Sequence, residues 1–282
     1  MTAYAEVIGD PIAHSKSPLI HGFWLERLGL EGRYARRQVR GEELGAYLEA
    51  RRGDGEWRGC NVTIPHKQAV LPLLDRLDPA AARIGAANIV RREGAALVGY
   101  NSDGAGFLDP LRAELARPQL FRMARVLGAG GAARAVIDAL KGEGFALVVA
   151  ARRVEQAQAL VAGLDLHFNH AVALDHFAAP TDFAFDDREG VLDLLVNTTP
   201  LGMTGQPPLV LDLSHVPPGA IVCDIVYAPL ETPLLAEARA RGFRTVDGLG
   251  MLIGQARHAF ELFFGAEPPR DADDALRQLL TS

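Results

Sequence analysis

Cysteine is scarce: Cys60 and Cys223 are the only two in 282 residues, far apart and each inside a stretch that reads as a strand. That excludes a disulfide framework and points to buried thiols of a reducing compartment. No apolar run reaches the roughly 18 residues that a spanning helix needs, and neither a basic n-region nor an apolar h-region opens the chain. A soluble cytoplasmic protein with no membrane partner is the expectation. Basic charge is not in excess either, since 29 Lys and Arg against 35 Asp and Glu leave a net −6. A nucleic-acid surface would normally need a basic stripe, so no nucleic-acid partner is expected. A small anionic ligand stays open, because that depends on a local pocket. Internal repeats and low-complexity segments are also missing.

What is there has the composition of an ordinary globular protein, 49% hydrophobic and 23% charged, long enough for two domains or one large one. The first hundred residues alternate strand and helix patterns. Strands are expected at 5–9, 34–39 and 60–64, helices at 18–29 and 42–51, helical stretches from Lys67 to about Ile84, and two short strands at "NIVR" and "LVGYN". Such alternation implies α/β units with mainly parallel pairing. After Asp103 the pattern restarts with a helix over about 104–116, a strand-turn-helix over 124–144, the strand "FALVVAA", the helix "EQAQALVAGL", and the strands "VLDLLVN" and "AIVCDIVY". A last helix runs from near Leu249 through "LIGQARHAFELFF". Residues 169–190, with Phe183, Phe185, Asp186 and Asp187, show no clear period. His167, His170 and His176 in this region lack an obvious carboxylate or cysteine partner, so no metal is expected.

The segment "GDPIAHSKSPLIH" supports two readings. Ser17 suits an N-cap and Pro18 the first helical position, with Ile20, Phe23, Trp24 and Leu28 following on one buried face. A cap needs only one hydroxyl, and Ser15 is then left over. Two hydroxyls presented at a helix N-terminus make a good receptor for an anion such as a carboxylate. Lys16 between them has no evident role.

"VLGAGGAARA" fits G-x-G-x-x-A with Gly128, Gly130 and Ala133. A strand precedes it and a helix follows, the context in which backbone can approach a pyrophosphate at a helix N-terminus. An NAD site usually carries an acidic residue about 20 residues on, for the ribose 2′-hydroxyl. Here that point reads Ala151, Arg152, Arg153. Two guanidiniums without a carboxylate favour a 2′-phosphate, hence NADP.

A proton partner is sought before this loop. Lys67 stands at an expected helix start, where the dipole disfavours a cation, and residues placed against a local rule are candidates for function. Asp103 follows Asn101 and Ser102 and would cap the helix beginning near Gly104. A lysine oriented by an aspartate can protonate the alkoxide that forms when hydride reduces a ketone. The carboxylate also favours the ammonium, so electrostatics and orientation are expected to dominate its action.

"GDPIAHSKSP", "NVTIPHK", "GAAN", "NSDGAGF", "GAGGAARA", "NTTPLGM", "DIVYAP" and "DGLGMLIGQA" occur in the order and spacing of the shikimate dehydrogenase family, which the chain resembles from residue 7 to about 256. The resemblance implies reduction of 3-dehydroshikimate to shikimate with NADPH, on the way to aromatic amino acids. It implies an α/β substrate domain (1–103 and 248–282) and a Rossmann-type dinucleotide-binding domain (104–247) with a cleft between them, in a monomer or homodimer. Ser15 and Ser17 would bind the substrate carboxylate. Thr63, Asn88 and Asp103 would hold ring hydroxyls, with Lys67 as catalytic acid/base. Tyr227 and Gln255 would close over the substrate. Gly128, Ala129, Gly130, Gly131 and Ala132 would cradle the pyrophosphate, and Ile225 and Gly248 would lie by the nicotinamide. The adenine loop departs from the family pattern of Asn-Arg-Thr followed by a further Arg three residues on: here Arg152 is kept and the second arginine moves into the loop as Arg153, with Gln156 at the later position. His66 stands where phenylalanine is common. Ser17 and Ala151 argue against a quinate- or aminoshikimate-specific relative, and the retained Lys67 and Asp103 against a non-catalytic binding module.

Overall fold

The computed structural model describes residues 2–162, 164, 169–179, 190–214 and 216–282. His167, Phe183, Phe185, Asp186 and Asp187 lie outside the described residues. The chain divides into two compact units, Met1–Gly106 with Ile253–Ser282, and Phe107–Leu252.

The first unit contains β1 (Tyr4–Gly9), α1 (Ser17–Leu28), β2 (Arg33–Gln38), α2 (Leu44–Arg52), β3 (Trp57–Val62), α3 (His66–Ala69), β4 (Arg76–Leu77), α4 (Pro79–Ile84), β5 (Ile89–Glu93) and β6 (Ala96–Tyr100). Its sheet runs β2-β1-β3-β5-β6-β4. The expected parallel pairing holds for β1 with β2 and β3, but β5 runs antiparallel to both β3 and β6. The turn at Gly94, with φ +65°, closes that hairpin. The helical stretch expected from Lys67 to Ile84 is broken: Pro72 and Pro79 cannot lie in a helix interior, β4 pairs with β6, and α4 starts afresh on Asp78, whose carboxylate accepts from Ala81 N at 2.8 Å.

α5 (Asp103–Leu108) follows, and the single helix expected to about 116 stops at Pro110, giving a 3₁₀ turn and then α6 (Arg112–Leu115). The second unit continues with β7 (Phe121–Leu127), α7 (Gly131–Gly142), β8 (Ala146–Ala151), α8 (Val154–Val161), β9 (His170–Ala173), β10 (Val191–Asn197), β11 (Ile221–Asp224), α9 (Pro233–Ala240) and β12 (Arg244–Val246). Here every pairing is parallel and the order is β12-β11-β10-β7-β8-β9. Counted along this unit, that is the 3-2-1-4-5-6 order of the dinucleotide-binding fold, whose ligands sit at the carboxyl ends of the strands. Buried apolar side chains cover both faces of the sheet, Val126, Val149 and Val196 on one and Leu127, Val148 and Leu195 on the other. Near-continuous apolar strands such as "ALVVAA" follow from burial on two faces.

α10 (Gly248–Phe264) and α11 (Asp273–Thr281) complete the chain, and the division between the units falls within α5 and α10. The later part of α10 returns Ala259 and Phe263 to the first sheet, against Ala5 and Ile89. Fully buried Ile89 and Phe260 each contribute about 1.5–3 kcal/mol of transfer free energy.

Candidate active site

The opening segment differs from its expected cap. Ser17 is the first residue of α1 and Lys16 occupies the N-cap position without a capping side chain. Ser15 Oγ accepts from Ser17 N at 3.3 Å and donates to Ser17 Oγ at 3.2 Å. So Ser15 supplies the acceptor that the sequence assigned to Ser17, and the two hydroxyls face each other. The buried face of α1 is Ser17, Ile20, His21, Trp24 and Leu25, whereas Leu28 is exposed beside the left-handed Gly29 that ends the helix. Lys16 gains a role: its Nζ donates to Leu280 O at the end of α11, where a helix leaves carbonyls unpaired. Arg36 Nε donates to Ser15 O at 2.7 Å. The loop is thus tied on two sides.

Thr63, Lys67, Asn88 and Asp103 come from segments far apart in sequence. The antiparallel hairpin brings them to one edge of the sheet: β3 ends before Thr63, β5 starts after Asn88, and β6 ends before Asp103. Close approach fixes the neighbouring strand, since a Cβ at Gly9 would lie 2.6 Å from the Thr63 Cγ2 methyl and 2.9 Å from the backbone oxygen of Ile64. Lys67 O accepts from Ala87 N at 2.8 Å, which pins α3 to the Asn88 segment. Lys67 Nζ donates to Asp103 Oδ2 at 2.5 Å, with side chains 15% and 4% exposed. Asn88 Nδ2 donates to Asp103 Oδ1 at 2.8 Å and lies 3.0 Å from Ser102 Oγ and 3.4 Å from Gln255 Oε1. Asn88 Oδ1 in turn accepts from Ser102 N at 2.9 Å, and Ser102 Oγ donates to Gln255 O at 3.0 Å. The Asp103 carboxylate is therefore spent on Lys67 and Asn88 and does not cap α5; Asn101 Oδ1 accepts from Asp103 N instead.

A second chain of contacts leads back to the serines. The Tyr34 hydroxyl lies within hydrogen-bond reach of Ser17 and donates to Asn61 Oδ1 at 2.6 Å, and Asn61 Nδ2 reaches Asn88 O at 3.4 Å. Burial holds the Tyr34 phenol well above its ordinary range, so it remains a donor. His66 is buried with Nε2 at 2.6 Å from Val39 O, so that nitrogen carries the proton and the ring anchors α3. Tyr34, Arg36, Asn61 and Ser102 escaped the sequence reading. Asn61 and Ser102 carried a local signal, since they stand inside the quoted "NVTIPHK" and "NSDGAGF", whereas Tyr34 and Arg36 act through partners on other segments.

In the second unit the predicted cofactor residues also share one edge. Gly128 has φ +118°, and a Cβ there would lie 2.5 Å from Thr198 Oγ1. Gly130 caps α7 without any side-chain hydrogen bond, and a Cβ there would meet nothing within 4 Å. The first-turn amides of α7, among them Gly131 and Ala132, thus have no capping side chain, an arrangement that fits a pyrophosphate. Ala151 ends β8 buried, while Arg152 and Arg153 are exposed and pair with no carboxylate among the described residues. Two unpaired guanidiniums there fit a 2′-phosphate. Ile225 and Gly248 line one small pocket with Phe107, Pro110, Val246 and Met251. Gly248 packs on the backbone beyond β11, where a Cβ would stand 2.3 Å from Ile225 O. Tyr227 is half-buried two residues further on.

Asp224 braces this edge from beneath. Its Oδ1 accepts from Asn197 Nδ2 at 2.9 Å and Val226 N at 3.0 Å, and its Oδ2 from Thr232 Oγ1 at 2.7 Å. Burial pushes its carboxyl up to about 6 against the pull of those bonds. Among the described residues no cluster of His, Cys, Asp and Glu could hold a metal ion, and no helix is long and apolar enough to cross a membrane. Cys60 and Cys223 are both free and buried.

Residues 7–90 match the family model of the shikimate dehydrogenase substrate binding domain, and 248–274 that of the shikimate 5′-dehydrogenase C-terminal domain. The chain is 52% identical to a shikimate dehydrogenase (NADP(+)) of Sphingopyxis alaskensis, over 99% of this chain and 97% of that one. It is 49% identical to a protein of the same name from Rhodospirillum rubrum, over 97% and 95%. The solved shikimate 5-dehydrogenase of Thermus thermophilus, in complex with NADP(H) and shikimate, superposes with a TM-score of 0.81 at 36% identity, covering 99% of each chain. The chain belongs to the shikimate dehydrogenase family.

Proposed function

We propose that this protein reduces 3-dehydroshikimate to shikimate with NADPH and runs the reverse reaction with NADP⁺. The carrying observation is Lys67 Nζ held 2.5 Å from Asp103, whose other oxygen is bonded to Asn88. NADPH, when bound, supplies the hydride. Lys67 gives a proton to the developing alkoxide and takes it back in the oxidation, and Asp103 holds the ammonium in place. Thr63, Asn88 and Asp103 orient the ring hydroxyls, and Tyr227 and Gln255 complete the substrate contacts. Ser15 and Ser17 receive the carboxylate at the start of α1. Gly128 to Ala132 hold the pyrophosphate, Arg152 and Arg153 hold the 2′-phosphate beside Ala151, and Ile225 and Gly248 border the nicotinamide.

In this reading residues 1–103 and 248–282 bind substrate and 104–247 bind the dinucleotide, with boundaries at the starts of α5 and α10. Two free buried thiols support a cytoplasmic location, and the net charge of −6 supports a small-molecule enzyme with no nucleic-acid partner; a monomer or homodimer is the assembly proposed. Initial rates of NADP⁺ and NAD⁺ reduction with shikimate and with quinate test the reading side by side. Shikimate with NADP⁺ is expected to give the highest kcat/KM; a higher value for quinate would move the chain to the sister activity, and no turnover of either would make it a binding protein.

A further inference from the structure

We infer that Arg36 is a carboxylate-recognising residue of the substrate site, supplying the positive charge that the two serines lack. The inference rests on the reading of Ser15 and Ser17 as the carboxylate receptor. Two neutral hydroxyls give hydrogen bonds but no compensating charge, and taking an anion out of water without a paired charge is costly; a guanidinium supplies that charge together with a bidentate geometry. The two lysines of the polar network do not answer it. Lys16, between the serines, is turned to Leu280 O on α11, and Lys67 is held by Asp103 at the other end of the polar network.

Arg36 is placed differently. It lies on β2 two residues beyond Tyr34, hence on the same side of the strand, and Tyr34 already reaches Ser17. Its Nε is bonded to the Ser15 carbonyl at 2.7 Å. Carbonyl and hydroxyl oxygen belong to one residue, so the guanidinium is tethered to the same residue whose Oγ faces Ser17. Only Nε is engaged, and the remaining N–H donors of the fork are free to pair with a carboxylate. Arg36 makes no ion pair among the described residues. Asp10, the acidic residue at the start of the same loop, accepts from Gln38 Nε2 at 2.7 Å and not from Arg36. Tethering by Nε also fixes the side chain beforehand, which lowers the entropy lost when it grips an anion.

The test compares the full-length wild type with Arg36→Ala and Arg36→Lys, using shikimate and its neutral methyl ester as substrates with saturating NADP⁺. Loss of one charge-assisted contact is expected to raise KM for shikimate about tenfold and to affect the ester much less. Arg36→Lys is expected to recover part of the loss, and added KCl should raise the shikimate KM of the wild type more than that of Arg36→Ala. Equal rises for acid and ester would make Arg36 a tether of the Ser15 loop and overturn the inference, as would an unchanged shikimate KM. A wild-type chain that turns over neither substrate would instead overturn the underlying function, and the inference with it.

Discussion

Replacing Asp103 by Asn keeps the shape of the side chain and removes its charge. Both carboxylate oxygens face donors, Lys67 Nζ at 2.5 Å and Asn88 Nδ2 at 2.8 Å. An amide offers an acceptor to only one of them, so the other donor meets an NH₂ group. Asn88 cannot relieve this by turning over, because its Oδ1 already accepts from Ser102 N at 2.9 Å. The variant therefore loses the ion pair with Lys67 and leaves at least one inward-facing donor unsatisfied. Removing one member of a buried pair costs about 3–5 kcal/mol, and with Lys67 15% exposed the lower end applies. If about 3 kcal/mol of that is lost from the transition state, kcat falls roughly 10²-fold. The KM for shikimate should rise as well if Asp103 orients a ring hydroxyl as proposed. Steady-state oxidation of shikimate at saturating NADP⁺ measures both, with circular dichroism melting to confirm that the variant is folded. A folded Asp103→Asn enzyme whose kcat stays within about twofold of wild type would refute the role of the Lys67–Asp103 pair in the chemistry.

Arg152→Ala should weaken NADP⁺ binding about tenfold more than NAD⁺ binding, the value of one charge-assisted phosphate contact; fluorescence titration with each dinucleotide checks this, and equal losses would remove Arg152 from 2′-phosphate recognition. Ser15→Ala removes both an acceptor for Ser17 N–H and a proposed carboxylate contact, so the shikimate KM should rise severalfold; an unchanged KM would leave the segment as a helix start and nothing more. For Asp224, burial raises the folded-state value from 3.8 to about 6. Its contribution to stability is then complete below the unfolded value near 3.8 and is lost as pH rises to about 6. Asp224→Asn, whose amide can donate to Thr232 Oγ1, should remove that decline, read as urea midpoints between pH 4 and 7. The same pH dependence in both proteins would place the titration elsewhere.

In this sheet architecture the site residues stand where strands end, and those points are rich in turn and cap residues that a sequence displays openly. "GAGGAARA" was legible because it stands between a strand and a helix and because Gly128 answers a local demand, a φ of +118° with Thr198 Oγ1 2.5 Å from where a Cβ would lie. Lys67 was legible because it breaks a local rule. The parallel strand run after Asp103 was legible because burial on both faces leaves long apolar stretches. Elements of two to four residues such as β4, β9 and β12 are too short to show a period. Lys16 and Arg36 could not be assigned from neighbours, since their partners lie 264 and 21 residues away.

The direction of β5 mattered most, and composition gave no hint of it. Had β5 run parallel to β3, Asn88 would begin its strand at the edge opposite Thr63 and Lys67, and only the antiparallel pairing returns it. The β5–β6 hairpin then reverses once more and delivers Ser102 and Asp103 to the same place. Asn88 also joins the two halves of this polar network: its side chain orders Asp103 and Ser102, and its carbonyl is reached by Asn61 on the path from Tyr34 and Ser17. The local reversal that the α/β pattern did not predict is therefore what joins Ser17, Tyr34, Asn61 and Asn88 to Lys67 and Asp103 in one polar network.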